Sequence, residues 1–314
     1  MEAFIDWLQF TVFEDYENEN IRTYADIIDQ YLNLEVNDFQ PCNGLYGYKS
    51  CQQYQNIRVL YDGPELMGIH VQISGKGCRY LESLENFDWN RFLGHLVFLG
   101  VKFTRIDVAI DQQKYFDCDR IQRYLKTDRV CTRFRKYGET STSYIGSSEL
   151  CGKTIYFGSR KSEIFIRFYD KGLESDGQIE GTRLEIVLRD GKANEFVFQY
   201  LNKENFYNLS YLTSKVINYY LRFIKCDATR KERCSIANWW SDFINTVEKL
   251  SLGKGKEVIT LDRICKWFEK QVSTSLKLII ETKGIDYVDE MVKKAKLSNR
   301  QNEMIKQFKL KGAI

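Results

Sequence analysis

Four short segments alternate apolar residues with residues able to carry chemistry. In Thr104 to Asp111, Ile106, Val108 and Ile110 fall on one side of an extended strand. Arg105, Asp107, Ala109 and Asp111 fall on the other. Ile164 to Lys171 sets Ile164, Ile166 and Phe168 against Arg167, Tyr169 and Lys171. Arg183 to Arg189 sets Leu184, Ile186 and Leu188 against Arg183, Glu185, Val187 and Arg189. Ile69 to Ser74 sets Ile69, Val71 and Ile73 against His70, Gln72 and Ser74. If the four strands share a sheet, one face is a core and the other gathers Asp, Glu, His, Tyr, Arg and Lys. Carboxylates on neighbouring strands, with a histidine or glutamine in reach, suit a hard divalent ion such as Mg²⁺ or Mn²⁺. Tyr169 would be an attacking oxygen; its phenol, with an ordinary pKa of about 10, needs a positive field to lose its proton. Arg167, Lys171 or the ion could supply that field, and the cations could also grip a phosphate. Taken singly, each residue reads as a solvated strand face or a satisfied histidine. The combination points to metal-assisted cleavage of a phosphodiester by a tyrosine.

The elements that must position these residues follow from periodicity. Strands are predicted at Ile5 to Phe13, Ile57 to Tyr61, Gly68 to Ser74, Phe103 to Asp111, Thr154 to Gly158, Ile164 to Asp170 and Arg183 to Leu188. Helices are predicted at Tyr24 to Leu34, at Phe87 to Leu99 with Asn86 as cap, and at Asp119 to Leu125 with Asp117 as cap. The order strand–helix–strand–strand occurs twice, and Ile5-Asp6-Trp7-Leu8 holds the place in the first unit that Ile106-Asp107-Val108-Ala109 holds in the second. The expected fold class is α+β: two pseudo-repeats, about 1–80 and 100–190, form an extended, mostly antiparallel sheet with helices on one face. Beyond Asn194 the pattern turns helical, at Val216 to Phe223, Ile236 to Val247, Leu261 to Ile280 and Tyr287 to Leu310. A boundary near Lys225 divides a catalytic domain, 1–225, from a basic helical region, 226–314.

Composition narrows the class. The 314 residues, 43% hydrophobic and 28% charged, are those of an ordinary globular protein. No apolar run reaches the roughly 20 residues of a membrane span, and the acidic start reads as no signal peptide, so a cytoplasmic location and no membrane partner are expected. Nine scattered cysteines without a Cys-x-x-Cys pair read as free thiols, and two histidines exclude a multi-histidine metal cage. The net charge of +3 hides a division: from Lys225 onward there are 19 basic and 12 acidic residues, against 27 and 31 before it. A basic helical end fits a polyanion, or dimerisation, or only a solvated helix face.

The motifs themselves resemble those of the replication initiation factor (Rep_trans) family, the rolling-circle plasmid initiators and conjugative-element relaxases of Gram-positive bacteria. They are Ile5-Asp6-Trp7-Leu8-Gln9-Phe10-Thr11, Gly68-Ile69-His70-Val71-Gln72-Ile73-Ser74-Gly75-Lys76-Gly77-Cys78-Arg79, Thr104-Arg105-Ile106-Asp107-Val108-Ala109-Ile110-Asp111, Lys153-Thr154-Ile155-Tyr156-Phe157-Gly158-Ser159-Arg160, and Phe165-Ile166-Arg167-Phe168-Tyr169-Asp170-Lys171 followed by Thr182-Arg183-Leu184-Glu185. They span most of residues 4–190. The resemblance implies a sequence-specific enzyme that nicks and rejoins one DNA strand at an origin through a 5′-phosphotyrosine, leaving a 3′-hydroxyl. Tyr169 would be the nucleophile, with Arg167 and Lys171 beside it. Asp107 and Glu185 would hold the metal, with His70 and Gln72 as further ligands. His70-Val71-Gln72 has only the first histidine of the His-hydrophobic-His motif found in related nucleases. Arg105 and Arg183 in the sheet, and Lys293, Lys294, Lys296 and Arg300 in the helical end, would touch DNA. A host helicase and a second copy of the chain are the further expected partners. The alternative is a non-catalytic origin-binding protein of the same fold, which the presence of both Tyr169 and Asp107 disfavours.

Overall fold

A computed structural model describes residues 3–13, 23–64, 66–146, 150–174, 181–202, 208–244 and 273–294. In chain order the first half runs β1 (Ala3–Val12), α1 (Tyr24–Asp26, continued by a π-helical turn Ile27–Tyr31), β2 (Gln40–Asn43), β3 (Ser50–Tyr54), β4 (Ile57–Tyr61), β5 (Ile69–Ile73), α2 (Gly75–Ser83) and α3 (Trp89–Phe98). The second half runs β6 (Lys102–Gln112), α4 (Cys118–Lys126), β7 (Val130–Thr132), β8 (Tyr137–Ser143), β9 (Leu150–Phe157), β10 (Ile164–Asp170), α5 (Lys171–Glu174), β11 (Thr182–Arg189) and α6 (Gly191–Tyr200). There follow α7 (Leu209–Tyr220), β12 (Leu221–Phe223), α8 (Asn238–Ile244), α9 (Ser273–Lys283) and α10 (Ile285–Lys294).

Ten strands form one sheet in the order β2-β3-β4-β5-β1-β6-β11-β10-β9-β8, every ladder antiparallel. Read outward from the central pair β1 and β6, each half has its own last strand, then the three before it in turn. The duplication read from the Ile-Asp motifs is therefore a duplication of topology, and each unit contributes four strands to this sheet after its helix rather than two. The additional strands are edge strands such as Gln-Pro-Cys-Asn and Tyr-Gly-Glu-Thr-Ser-Thr-Ser, whose polar composition hides them from an apolar-periodicity reading.

The core lies on one face of this sheet. Leu8, Phe10, Val71, Ile106, Val108, Ile110, Ile166, Phe168, Leu184 and Ile186 are all buried there, under the helices. Those helices contribute Cys78 and Leu81 (α2), Leu93 and Leu96 (α3), Ile121 (α4), Phe196 and Val197 (α6), Val216 and Ile217 (α7), and Trp240 and Phe243 (α8). Helix starts are set by side chains that satisfy orphan backbone donors. Asp117 accepts from the Arg120 amide, as expected. At α3 the cap is Asp88, which accepts from the Arg91 amide; Asn86, expected there, takes a positive φ of 61° in the preceding turn.

Two compact units divide the chain at Met1–Lys254 and Gly255–Ile314. The first runs beyond Lys225 because α8 belongs to its core: Trp240 lies within ring distance of Phe116, Phe168 and Phe223. In the second unit, α10 pairs Lys293 with Asp289 and Lys294 with Glu290 one turn apart on an exposed helix. Lys296 and Arg300 lie outside the described residues. The sulfurs of Cys42 and Cys51 meet across the β2–β3 ladder, at a Cα spacing of 5.1 Å, so the free-thiol expectation does not hold for this pair. Cys78, Cys118 and Cys234 are free and buried.

Candidate functional site

Opposite the helices, β6, β11 and β10 present the alternate residues of each strand. Antiparallel register sets Arg167 against Glu185, Tyr169 against Arg183, Glu185 against Ala109 and Arg183 against Asp111. Asp107 faces Val187, diagonal to Glu185. These side chains are buried although they line the face away from the core. Asp107 is 2% exposed, Glu185 1% and Tyr169 7%. A buried charge persists only when it is paired, and each of these carboxylates has an arginine.

Glu185 is the centre of the arrangement. Arg167 Nη2 donates to both its oxygens, at 2.6 and 2.8 Å, and the Tyr169 hydroxyl donates to Oε2 at 3.2 Å. Arg167 and Lys171 both approach the Tyr169 ring, at 5.2 and 5.6 Å from its centroid. The phenol thus has a hydrogen-bond acceptor at its hydroxyl and two cations against its ring. Beside it lies a cleft of about 150 Å³ lined by Gly152, Lys153, Thr154, Arg167, Tyr169 and Asp170. Tyr156, on the neighbouring strand β9, lies against Phe165 and packs over Gly138, where any side chain would collide with its ring.

Around this centre are two further ion pairs. Arg105 grips Asp107 with Nε at 2.8 Å and Nη2 at 2.5 Å, and its guanidinium lies 4.6 Å over the Trp7 ring. Arg183 grips Asp111 with two bonds of 2.6 and 2.7 Å and reaches Asp6 at 3.2 Å. Burial pushes the Asp107 carboxyl up to about 7 against the pull of Arg105, with the nearby Glu185 adding to the rise. Burial also raises Asp6, opposed by Arg183 and reinforced by Glu185. Asp6 and Trp7 are therefore site residues not singled out in the sequence reading. The shared Ile-Asp motif that marked the duplication was the signal for Asp6.

The structure gathers Tyr169, Arg167, Lys171, Glu185, Asp107, Arg105 and Arg183. It does not gather His70 and Gln72 with them. These lie on β5, which β1 separates from β6, so about 10 Å of sheet intervenes. His70 is bonded to Thr11 at 2.9 Å and Gln72 to Gln9 at 3.1 Å. Among the described residues no group of three or more His, Cys, Asp and Glu is arranged to hold a metal ion. The donor chemistry that fits one in kind is the carboxylate pair Asp107 and Glu185: buried, mutually repelling, with hard oxygens and arginines for counterions. Arg105 and Arg183 are engaged with carboxylates rather than presented outward.

Comparison with known proteins agrees with this architecture. Residues 101–294 match the family described as Replication initiation factor, and residues 2–95 match the Rolling Circle replication initiation protein N-terminal domain. NicK of Bacillus subtilis (strain 168), described as a candidate DNA relaxase, is 27% identical over 312 residues, covering 93% of this chain and 88% of NicK. The solved structure of a rolling-circle replication initiator protein from Geobacillus stearothermophilus superposes with a TM-score of 0.71 at 32% identity. That match covers 81% of this chain and 98% of the other.

Proposed function

The chain belongs to the replication initiation factor family, and from that premise we propose that it nicks and rejoins one strand of origin DNA with Tyr169 as nucleophile. The observation that carries this is the Tyr169 hydroxyl held on Glu185 between Arg167 and Lys171. The Tyr169 oxygen attacks phosphorus, a Tyr–O–P bond forms and the bond from phosphorus to the 3′-oxygen breaks. Glu185 takes the phenol proton, and the 3′-oxygen leaves as a hydroxyl after gaining a proton from solvent water. Arg167, with two hydrogen bonds to the Glu185 oxygens, holds that carboxylate against the phenol. One phosphodiester bond is exchanged for another, so the 3′-hydroxyl can reverse the step and reseal the strand.

A divalent metal, Mg²⁺ or Mn²⁺, is part of the proposal: Asp107 and Glu185 would hold it, and it would supply charge stabilisation at a phosphate oxygen. DNA is the partner, with a host helicase and a second copy of the chain as the further partners expected of an initiator. The basic end beyond Lys225, including Lys293, Lys294, Lys296 and Arg300, is the proposed duplex-binding region.

The test is incubation of the purified protein with a supercoiled plasmid carrying the non-coding DNA beside its gene, with Mn²⁺ and with excess chelator. Open-circle product with the metal and none with chelator is expected. Stable, salt-sensitive binding to that DNA with no nicking under either condition would overturn the catalytic reading in favour of an origin-binding protein.

A further inference from the structure

The inner ladders of the two halves of the sheet correspond, and counted along them Trp7 takes the place of Asp107, one residue away from the Ile-Asp match of the motifs. Gly68 and Gly181 both have positive φ, 68° and 114°, and both press on a carbonyl oxygen of the neighbouring central strand. A Cβ would lie 2.3 Å from the oxygen of Val12 in one case and 2.5 Å from that of Gln112 in the other. Counting along the ladders from these points sets Thr11 and His70 in the place of Asp111 and Arg183, and Gln9 and Gln72 in the place of Ala109 and Glu185. The next ladder sets Arg58 and Leu60 in the place of Arg167 and Tyr169. The sequences agree: Ile57-Arg58-Val59-Leu60 parallels Ile166-Arg167-Phe168-Tyr169, and Gly68-Ile69-His70-Val71-Gln72-Ile73 parallels Gly181-Thr182-Arg183-Leu184-Glu185-Ile186.

The first half therefore repeats the catalytic framework without its chemistry. Leucine stands where the nucleophile would be, and an amide where the carboxylate would be. Apart from Arg58, which donates to Gln53 at 2.6 Å, what it carries instead is uncharged and aromatic. The loop between β2 and β3 lays Tyr46 on the face, where its hydroxyl donates to Gln72 Oε1 at 2.9 Å, an oxygen that also accepts from Gln9. His70, bonded to Thr11, sits edge-on to Tyr46 and stacked with Tyr48. Tyr46 is nevertheless 61% exposed, whereas Tyr48 packs with Cys51 and Leu60 in a small apolar cluster. A cover for that cluster would bury its aromatic; Tyr46 offers a ring to solvent on the face that bears Tyr169.

We infer that this half is a non-catalytic copy of the nicking half that binds unpaired bases of the DNA strand, with Tyr46 as a stacking platform beside the Gln72 and Gln9 amides. The inference rests on the nicking role proposed for Tyr169. Stacking on an exposed ring holds any base, and amides read base edges, neither needing the charges that hold phosphates. From β5 to β10 is four strand spacings, about 19 Å, a distance of a few extended nucleotides. Trp7 lies on the same face between the two.

The test uses the full chain and a fluorescent oligo-dT of about fifteen nucleotides, within the span that single-strand binders cover. A second form of the oligomer carries 5-iododeoxyuridine, which photocrosslinks to a stacked aromatic ring. We expect a crosslink at Tyr46, a loss of affinity of roughly tenfold in Tyr46→Ala, in line with one base stack, and retained affinity in Tyr46→Trp. Tyr169→Phe should keep both the crosslink and the affinity, so a failure of the nicking role leaves this readout intact. Wild-type affinity in Tyr46→Ala, or crosslinks that map elsewhere and persist in that variant, would overturn the inference.

Discussion

At the scale of single residues, the proposed reaction turns on Glu185, the acceptor that the Tyr169 hydroxyl meets. Glu185→Gln keeps the shape but removes the proton acceptor and leaves Arg167 with a neutral partner. Nicking is expected to fall by roughly 10²- to 10⁴-fold, the range of a general base, while single-strand affinity stays within a few-fold; undiminished single-turnover cleavage would exclude Glu185 as the base. Asp107→Asn should abolish any rise in melting temperature that Mn²⁺ gives the wild type, and an equal rise in the variant would remove Asp107 from the metal site. His70 illustrates a pH effect of opposite origin. Burial holds its imidazole down to about 4, while the unfolded chain titrates near its ordinary value of about 6.5. Below that value the unfolded state takes up a proton that the native state refuses. Stability is therefore lost as pH falls from about 6.5 toward 4, by up to about 3 kcal/mol. Urea unfolding of the wild type and of His70→Gln should show a difference that shrinks across this window; a constant difference would contradict it.

At the scale of elements, the site depends on register, and register depends on two glycines. In Gly181→Ala the new methyl would meet the Gln112 carbonyl oxygen at a positive φ of 114°, so the β6–β11 ladder must shift. A loss of about 2–4 kcal/mol is expected in denaturant unfolding, as for a severe backbone or packing defect, together with loss of nicking. A variant of wild-type stability would show that the glycine is not needed there. The central strands were legible in the sequence because alternating Ile, Val and Leu mark one face and charged residues the other, and the same alternation sets Tyr169, Arg167, Glu185 and Asp107 on one face. The edge strands β2 and β8 were not legible, since a polar, exposed strand has no apolar period. His70 and Gln72 share the alternation of β6, β10 and β11, which says which face they occupy but not which half of the sheet. Strand order, a long-range property, keeps them from Asp107.

At the scale of the whole molecule, the charge division and the fold divide the chain at different places. Cutting near Lys225 would remove Trp240 and Phe243, two fully buried rings worth roughly 1.5–3 kcal/mol each, from the first unit's core. Ending the chain at Lys254 spares them and still removes 13 basic against 8 acidic residues. That truncated protein should lose affinity for duplex DNA and show a shallower salt dependence, by about 0.9 log unit per lost phosphate contact for each tenfold change in salt. Unchanged affinity and slope would assign the basic end to another role. The central claim, that Tyr169 becomes covalently joined to DNA, is tested most directly by trapping the adduct. The nicked single-stranded substrate is incubated with protein and Mn²⁺ and digested, and the modified peptide is identified by mass spectrometry. The expected result is a 5′-phosphorylated nucleotide on the Tyr169 oxygen, absent from Tyr169→Phe. An adduct on Tyr156 or any other residue, or its persistence in Tyr169→Phe, would contradict the account.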